Sequence, residues 1–190
     1  MRMNRLHCFW IWLSRLRHSR GFGIQSPTDY AFVCNVVNEH SPYYAYDGLA
    51  RQFPTCNPRR LKLLRLYLRL SNFKQSDFFI DCVDGDPVLN SYVSAGCNKT
   101  RTVCDDVGLA PDFVRFSLQR SPAPHLSRLL ERADEHSMLV VEDIKADAGS
   151  RSRWADLLRD ERVRISYDLY DCGILFFDKK RYKKDYIINF

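Results

Sequence analysis

The chain has 190 residues, enough for one hydrophobic core with a short appendage and too few for two cores of ordinary size. Hydrophobic residues make up 45% and charged residues 27%, a balance that excludes a disordered chain. The net charge of +6 favours anionic partners. It does not choose among nucleic acid, acidic lipid and a plain basic surface.

Much of that excess lies in Arg2, Arg5, Arg15, Arg17 and Arg20 and in the cluster Arg51, Arg59, Arg60, Lys62, Arg65 and Arg69. A solvated basic face is preferred to a nucleic-acid groove for both. Seven cysteines, an odd number without a C-x-x-C pair, suggest a reduced chain inside the cell, and a cytoplasmic location is expected.

Between Asn4 and Arg17, the residues Leu6, Phe9, Trp10, Leu13 and Leu16 recur at three- and four-residue spacing, which predicts an amphipathic helix. The apolar run Cys8 to Leu13 is too short to span a bilayer, and no small-residue cleavage site follows it. Such a basic helix suits an anionic membrane surface, where the protein would be peripheral. Packing on its own domain or on a protein partner is the preferred alternative.

Gly21-Phe22-Gly23 ends this helix, and Ser26-Pro27 opens another that is expected to run to about Glu39. Ser41 to Asp47 reads as an aromatic loop, and Pro58 opens a strong helix, Arg59 to Leu70. Strands are expected at Asp77–Val83, Thr100–Asp106, Asp112–Leu118 and Ser137–Ile144, with helices after the first, the third and the fourth. Val163–Tyr170 and Gly173–Phe177 are joined only by Asp171-Cys172, too short for a parallel crossover, so they form an antiparallel hairpin. Tyr186 to Phe190 adds a possible final strand.

In an open parallel sheet, ligands bind beyond the carboxyl ends of the strands. Asp81, Asp84, Asp86, Asp105, Asp106, Glu142 and Asp143 all fall at that rim. A carboxylate after the second strand can accept the hydroxyls of a ribose, and one near the first can hold an amino group. The five histidines are scattered without an i, i+4 pair, so no zinc or other metal site is expected. Cys82 reads as a small buried hydrophobe rather than a reactive thiol.

Several segments carry a family resemblance. Met138 to Ile144, Trp154, and Val163 to Phe177 with its Asp171-Cys172-Gly173 turn resemble the end of bacterial class I S-adenosylmethionine-dependent methyltransferases. Gly21-Phe22-Gly23-Ile24-Gln25-Ser26-Pro27 and Pro42-Tyr43-Tyr44-Ala45-Tyr46 resemble that family's N-terminal segment and tyrosine loop. The resemblance implies an α/β, Rossmann-like methyltransferase sheet, mostly parallel with a C-terminal antiparallel hairpin and preceded by N-terminal helices. Residues 1–57 would form the helical segment and aromatic loop, and 58–190 the α/β domain.

It also implies S-adenosylmethionine as cofactor, held by Asp81, Asp84, Gly85, Asp86 and Asp105. A small-molecule methyl acceptor of unknown identity would lie against Tyr43, Tyr44, Tyr46, Glu142 and Asp143. The middle of the chain departs from the family. The turn Asp81 to Pro87 has one glycine and an extra acid, and the span from Asp106 to Asp112 is too short for the usual helix and strand. Two functions therefore stay open: a methyltransferase, or an inactive relative serving as a binding or scaffold module.

Overall fold

A computed structural model describes residues 10, 13–16, 21–54, 56–106 and 108–190. Most of the predicted opening helix lies outside the described residues. Of its described members, Trp10, Leu13 and Leu16 are exposed, whereas Arg15 is buried. Arg15 donates to the main-chain oxygens of Asp168 (3.0 Å) and Ile188 (3.1 Å) and to Asp168 Oδ1 (2.7 Å). A solvated basic face therefore does not describe this arginine.

Helix α1, Pro27–Phe32, starts as its sequence predicts: proline takes the first position and Ser26 Oγ accepts from the Asp29 N–H. It widens into a π-helical segment, Val33–Val37, and stops short of Glu39. Arg69 closes the end, donating to the carbonyls of Val36 (2.6 Å) and Val37 (2.9 Å). This arginine belongs to the basic cluster and is also buried. The aromatic loop is shorter than expected, because Tyr46 already lies in helix α2, Ala45–Gln52.

Asn57 caps helix α3, Pro58–Lys74, by accepting from the Arg60 N–H at 2.9 Å. Then follow β1 (Phe78–Asp81), α4 (Pro87–Gly96), β2 (Arg101–Cys104), β3 (Phe113–Ser117), α5 (Ala123–Arg132), β4 (Met138–Glu142) and α6 (Ala148–Arg159). Strands β5 (Ile165–Asp168), β6 (Cys172–Phe176) and β7 (Lys184–Ile187) complete one seven-stranded sheet, ordered β2-β1-β3-β4-β6-β5-β7. The hairpin is antiparallel as predicted, and β6 alone runs against the other strands. Among the described residues no helix separates β2 from β3; the chain crosses past β1 without one, and Leu109 packs on the sheet there.

Alternation along the strands divides the core into two layers. Phe79, Phe113, Met138, Val140 and Tyr167 face α1 to α4, while Ile80, Val114, Phe116, Leu139 and Val141 face α5 and α6. The N-terminal helices thus share a core with the sheet. Among the described residues no disulfide joins the cysteines, and Cys82 is a buried free thiol whose pKa burial pushes up to about 12. No described helix is long and apolar enough to cross a membrane.

Asp29 ties α1 to the β5–β7 end of the sheet. Its Oδ1 accepts from Tyr167 at 2.5 Å and from Arg181, and its Oδ2 from Tyr186 at 3.1 Å. Burial opposes ionisation of this carboxyl, but the bonds from Tyr167 and Arg181, the charge of Arg181 and the bond from Ser26 outweigh it and hold the pKa below 3.8. A depressed folded pKa adds stability that is present above the unfolded pKa and lost as pH falls through the folded one. Asp29→Asn is expected to cost about 2–4 kcal/mol at neutral pH, because the charge facing Arg181 is lost and one amide oxygen is left to serve the buried Tyr167 phenol, the half-buried Tyr186 phenol and the guanidinium. Urea denaturation should show the gap from wild type closing only below about pH 4; a gap that is constant with pH would disprove the assignment.

Candidate functional site

Strand order reverses between β1 and β3, since β1 leads outward to β2 while β3 lies on its other side. This switch point is where an open α/β sheet ordinarily receives a ligand. Asp81 at the end of β1 and Glu142 at the end of β4 both turn to the face covered by α3. Between them, from β3, comes Arg115.

Arg115 is buried and occupies the switch point with its own charge. Its Nε and Nη2 donate to the two oxygens of Glu142 at 2.8 and 3.2 Å, a bidentate pair. Its Nη1 donates to Asp81 at 3.1 and 3.2 Å and to Asp84 at 2.7 Å. Tyr67 of α3 donates to Glu142 Oε1 at 2.9 Å. Burial works against the Arg115 charge, but the carboxylates Glu142 and Asp81 beside it more than reverse that, so the guanidinium stays protonated. Burial, and then the charge of Glu142, raise the Tyr67 phenol well above its ordinary value, which keeps it a neutral donor.

An outer layer completes the lattice nearer to solvent. Arg120 reaches Glu142 Oε2 (2.6 Å), Asp84 Oδ2 (3.0 Å) and Asp143 Oδ2 (3.5 Å), and Ser117 Oγ donates to Asp143 at 2.6 Å. Four carboxylates and two guanidinium groups therefore share one rim. Asp143 and Asp105 hold positive φ angles of 61° and 55°, a left-handed conformation that Asp tolerates better than most residues.

The ten residues singled out from sequence are thus divided. Asp81, Asp84, Glu142 and Asp143 come together in the lattice. Asp86 instead caps α4, accepting from the Val88 N–H at 3.0 Å, and pairs with Arg60. Gly85 adopts a φ of 61°, and a Cβ there would lie 3.0 Å from Cys104 Sγ, so the turn requires glycine. Asp105 Oδ1 lies 2.7 Å from His125 Nδ1, close but not aligned as a hydrogen bond. Tyr43 and Tyr46 pack ring to ring at 5.4 Å, while Tyr44 stands in solvent.

Of these ten residues, Tyr46 alone lines any of the cavities of about 730, 550, 360 and 280 Å³ found among the described residues. Arg115, Arg120, Tyr67 and Ser117 were not anticipated from sequence. One signal was there: an arginine in the apolar run Phe113-Val114-Arg115-Phe116 has to find buried partners.

As placed, the rim does not fit S-adenosylmethionine. Asp81 is the carboxylate near the first strand that could hold an amino group, yet both its oxygens receive Arg115, and Oδ1 also accepts from the Val83 N–H at 3.0 Å. Among the described residues no cluster suited to a metal ion is found.

The parallel β2-β1-β3-β4 half with a reversed β6 beside β4 is the Rossmann-like sheet that the resemblance implied. The fold is α/β and Rossmann-like, mostly parallel with one antiparallel hairpin. No family model matches the chain, and no curated protein matches it. Among solved structures, a methyltransferase from Geobacter sulfurreducens is similar at 14% identity, over 71% of this chain and 87% of that one, with a TM-score of 0.49.

Proposed function

We propose that this methyltransferase-like chain is a binding module whose cofactor rim is closed from within. One observation carries this reading: the Arg115 guanidinium, 3% exposed, sits bonded to Asp81 and Glu142 at the switch point of the sheet. A cationic cofactor would have to displace a cation already held by several charge-assisted bonds. Its ammonium would gain no more from Asp81 than Arg115 does, and the displaced guanidinium would need new partners in a buried place. The single glycine in the turn and the missing crossover after β2 support the same conclusion, because the first leaves side chains where a ligand would approach the backbone and the second removes chain that would surround an adenosine.

Isothermal titration with S-adenosylmethionine and S-adenosylhomocysteine is expected to give no saturable heat up to about 1 mM, the weak end of cofactor affinity. Saturable binding of either compound, or methyl transfer to any acceptor, would reinstate the enzyme.

A further inference from the structure

The largest cavity described, about 730 Å³, lies away from the arginine lattice and shares none of its residues. It opens between the end of the π-helical segment, Tyr46 of α2, one face of α3 and Phe190. Its volume is in the range of small-molecule sites, roughly 300–1,000 Å³.

Its polar lining is dominated by donors. Lys62 and Arg65, on adjacent turns of α3, both face it, and neither forms an ion pair among the described residues. Instead each cation lies on an aromatic face: Lys62 Nζ is 4.2 Å from the Phe190 ring centre, and the Arg65 guanidinium carbon is 4.7 Å from that of Tyr46. Arg65 Nε and Asn38 Nδ2 are buried atoms with no hydrogen bond in the protein. Two buried donors without acceptors at one cavity are a cost that a bound acceptor would remove.

The other charges at the cavity do not supply that acceptor. Glu39 accepts from the Ser41 N–H at 2.6 Å within its own loop, and Asp47 is in the first turn of α2. Arg69 donates from each of its three nitrogens to the carbonyls of Val36 and Val37 and to Tyr46 Oη, so it adds positive field from a guanidinium already held in place. Val37, Pro42, Pro58 and Leu61 form the apolar part of the wall, which also carries His40 and Asn189.

We propose that this cavity binds a small aromatic anion, its carboxylate or phosphate received by Lys62, Arg65 and Asn38 and its ring laid on Tyr46, Phe190 and Leu61. The proposal does not depend on whether the rim takes a cofactor.

The test is titration of the full chain with 2-naphthoate, 2-naphthyl phosphate and neutral 2-naphthalenemethanol, followed by calorimetry and by chemical shifts at Tyr46 and Phe190. At least one anion is expected to bind with a submillimolar Kd, about tenfold or more tighter than the alcohol. Lys62→Gln and Arg65→Gln should each weaken that anion about tenfold, while Lys99→Gln, in the turn after α4 and outside the cavity lining, leaves it unchanged. The preferred anion then tells phosphate from carboxylate as the natural group.

Equal binding of the alcohol, wild-type affinity in both variants, or no binding of either anion at about 5 mM would overturn the site. If a variant fails to fold, the anion-against-alcohol ratio and the shifts in wild type still decide. Binding of S-adenosylmethionine in parallel runs would refute the closed rim and leave this site standing.

Discussion

Replacing Arg115 by glutamine is expected to lower the stability of the fold by about 3–5 kcal/mol, the cost of leaving buried charges without their partner. Asp81 and Glu142 are 0% and 5% exposed at the side chain, so water cannot replace the guanidinium. For a chain of this length each kcal/mol corresponds to about 2–4 °C in thermal midpoint. Arg120→Gln is the contrast. Its side chain is 43% exposed and Glu142 keeps Arg115, so a loss of about 1 kcal/mol or less is expected.

The combined change Arg115→Met, Asp81→Asn, Glu142→Gln separates two accounts of the lattice. Removing both signs of charge together should recover much of the stability lost by Arg115→Gln, because the penalty comes from the imbalance rather than from the absence of ions. Urea denaturation measures all three proteins. A loss under about 1 kcal/mol in Arg115→Gln would mean that the two carboxylates are not buried against it.

Gly173→Ala should be the other severe substitution. A Cβ at this position would lie 2.1 Å from Trp154 Cη2 and 2.6 Å from Cζ3, with the indole buried between α6 and the sheet. Glycine is needed here for space, since the strand conformation itself suits any residue. Overpacking of this kind costs about 3 kcal/mol. Trp154→Ala alone costs about 3–5 kcal/mol through the cavity it leaves.

The two changes share one volume, so the double variant should be more stable than the sum of the single losses by about 2 kcal/mol. Strict additivity would show that the indole moves aside when the methyl group arrives. The pair also explains two features of the family resemblance in physical terms: the tryptophan on the last helix and the glycine after Asp171-Cys172 are the two halves of one contact.

Local order was legible where neighbouring residues decide it. Ser26 and Pro27 mark the start of α1 because a cap and a proline act within one turn. The link between β5 and β6, Leu169 to Asp171, forces them to run antiparallel because so short a connection cannot cross a sheet. The lost crossover after β2 was likewise a matter of length. By contrast, α2 was hidden in an aromatic run without a capping side chain, and the π-helical segment depends on Arg69, which lies 32 residues or more along the chain from the carbonyls it closes.

The rim shows the division most clearly. The amino-acid sequence by itself placed acids at the ends of β1, β2 and β4, since strand periodicity and a family likeness both bear on where a strand stops. Only the tertiary structure decided what those acids do. Arg115 meets Asp81 across 34 residues and Glu142 across 27, and such pairs form through the order of strands in the sheet, which no local pattern encodes. The same ordering sends Asp86 to a helix cap and Asp105 toward His125, away from the lattice that the other acids share.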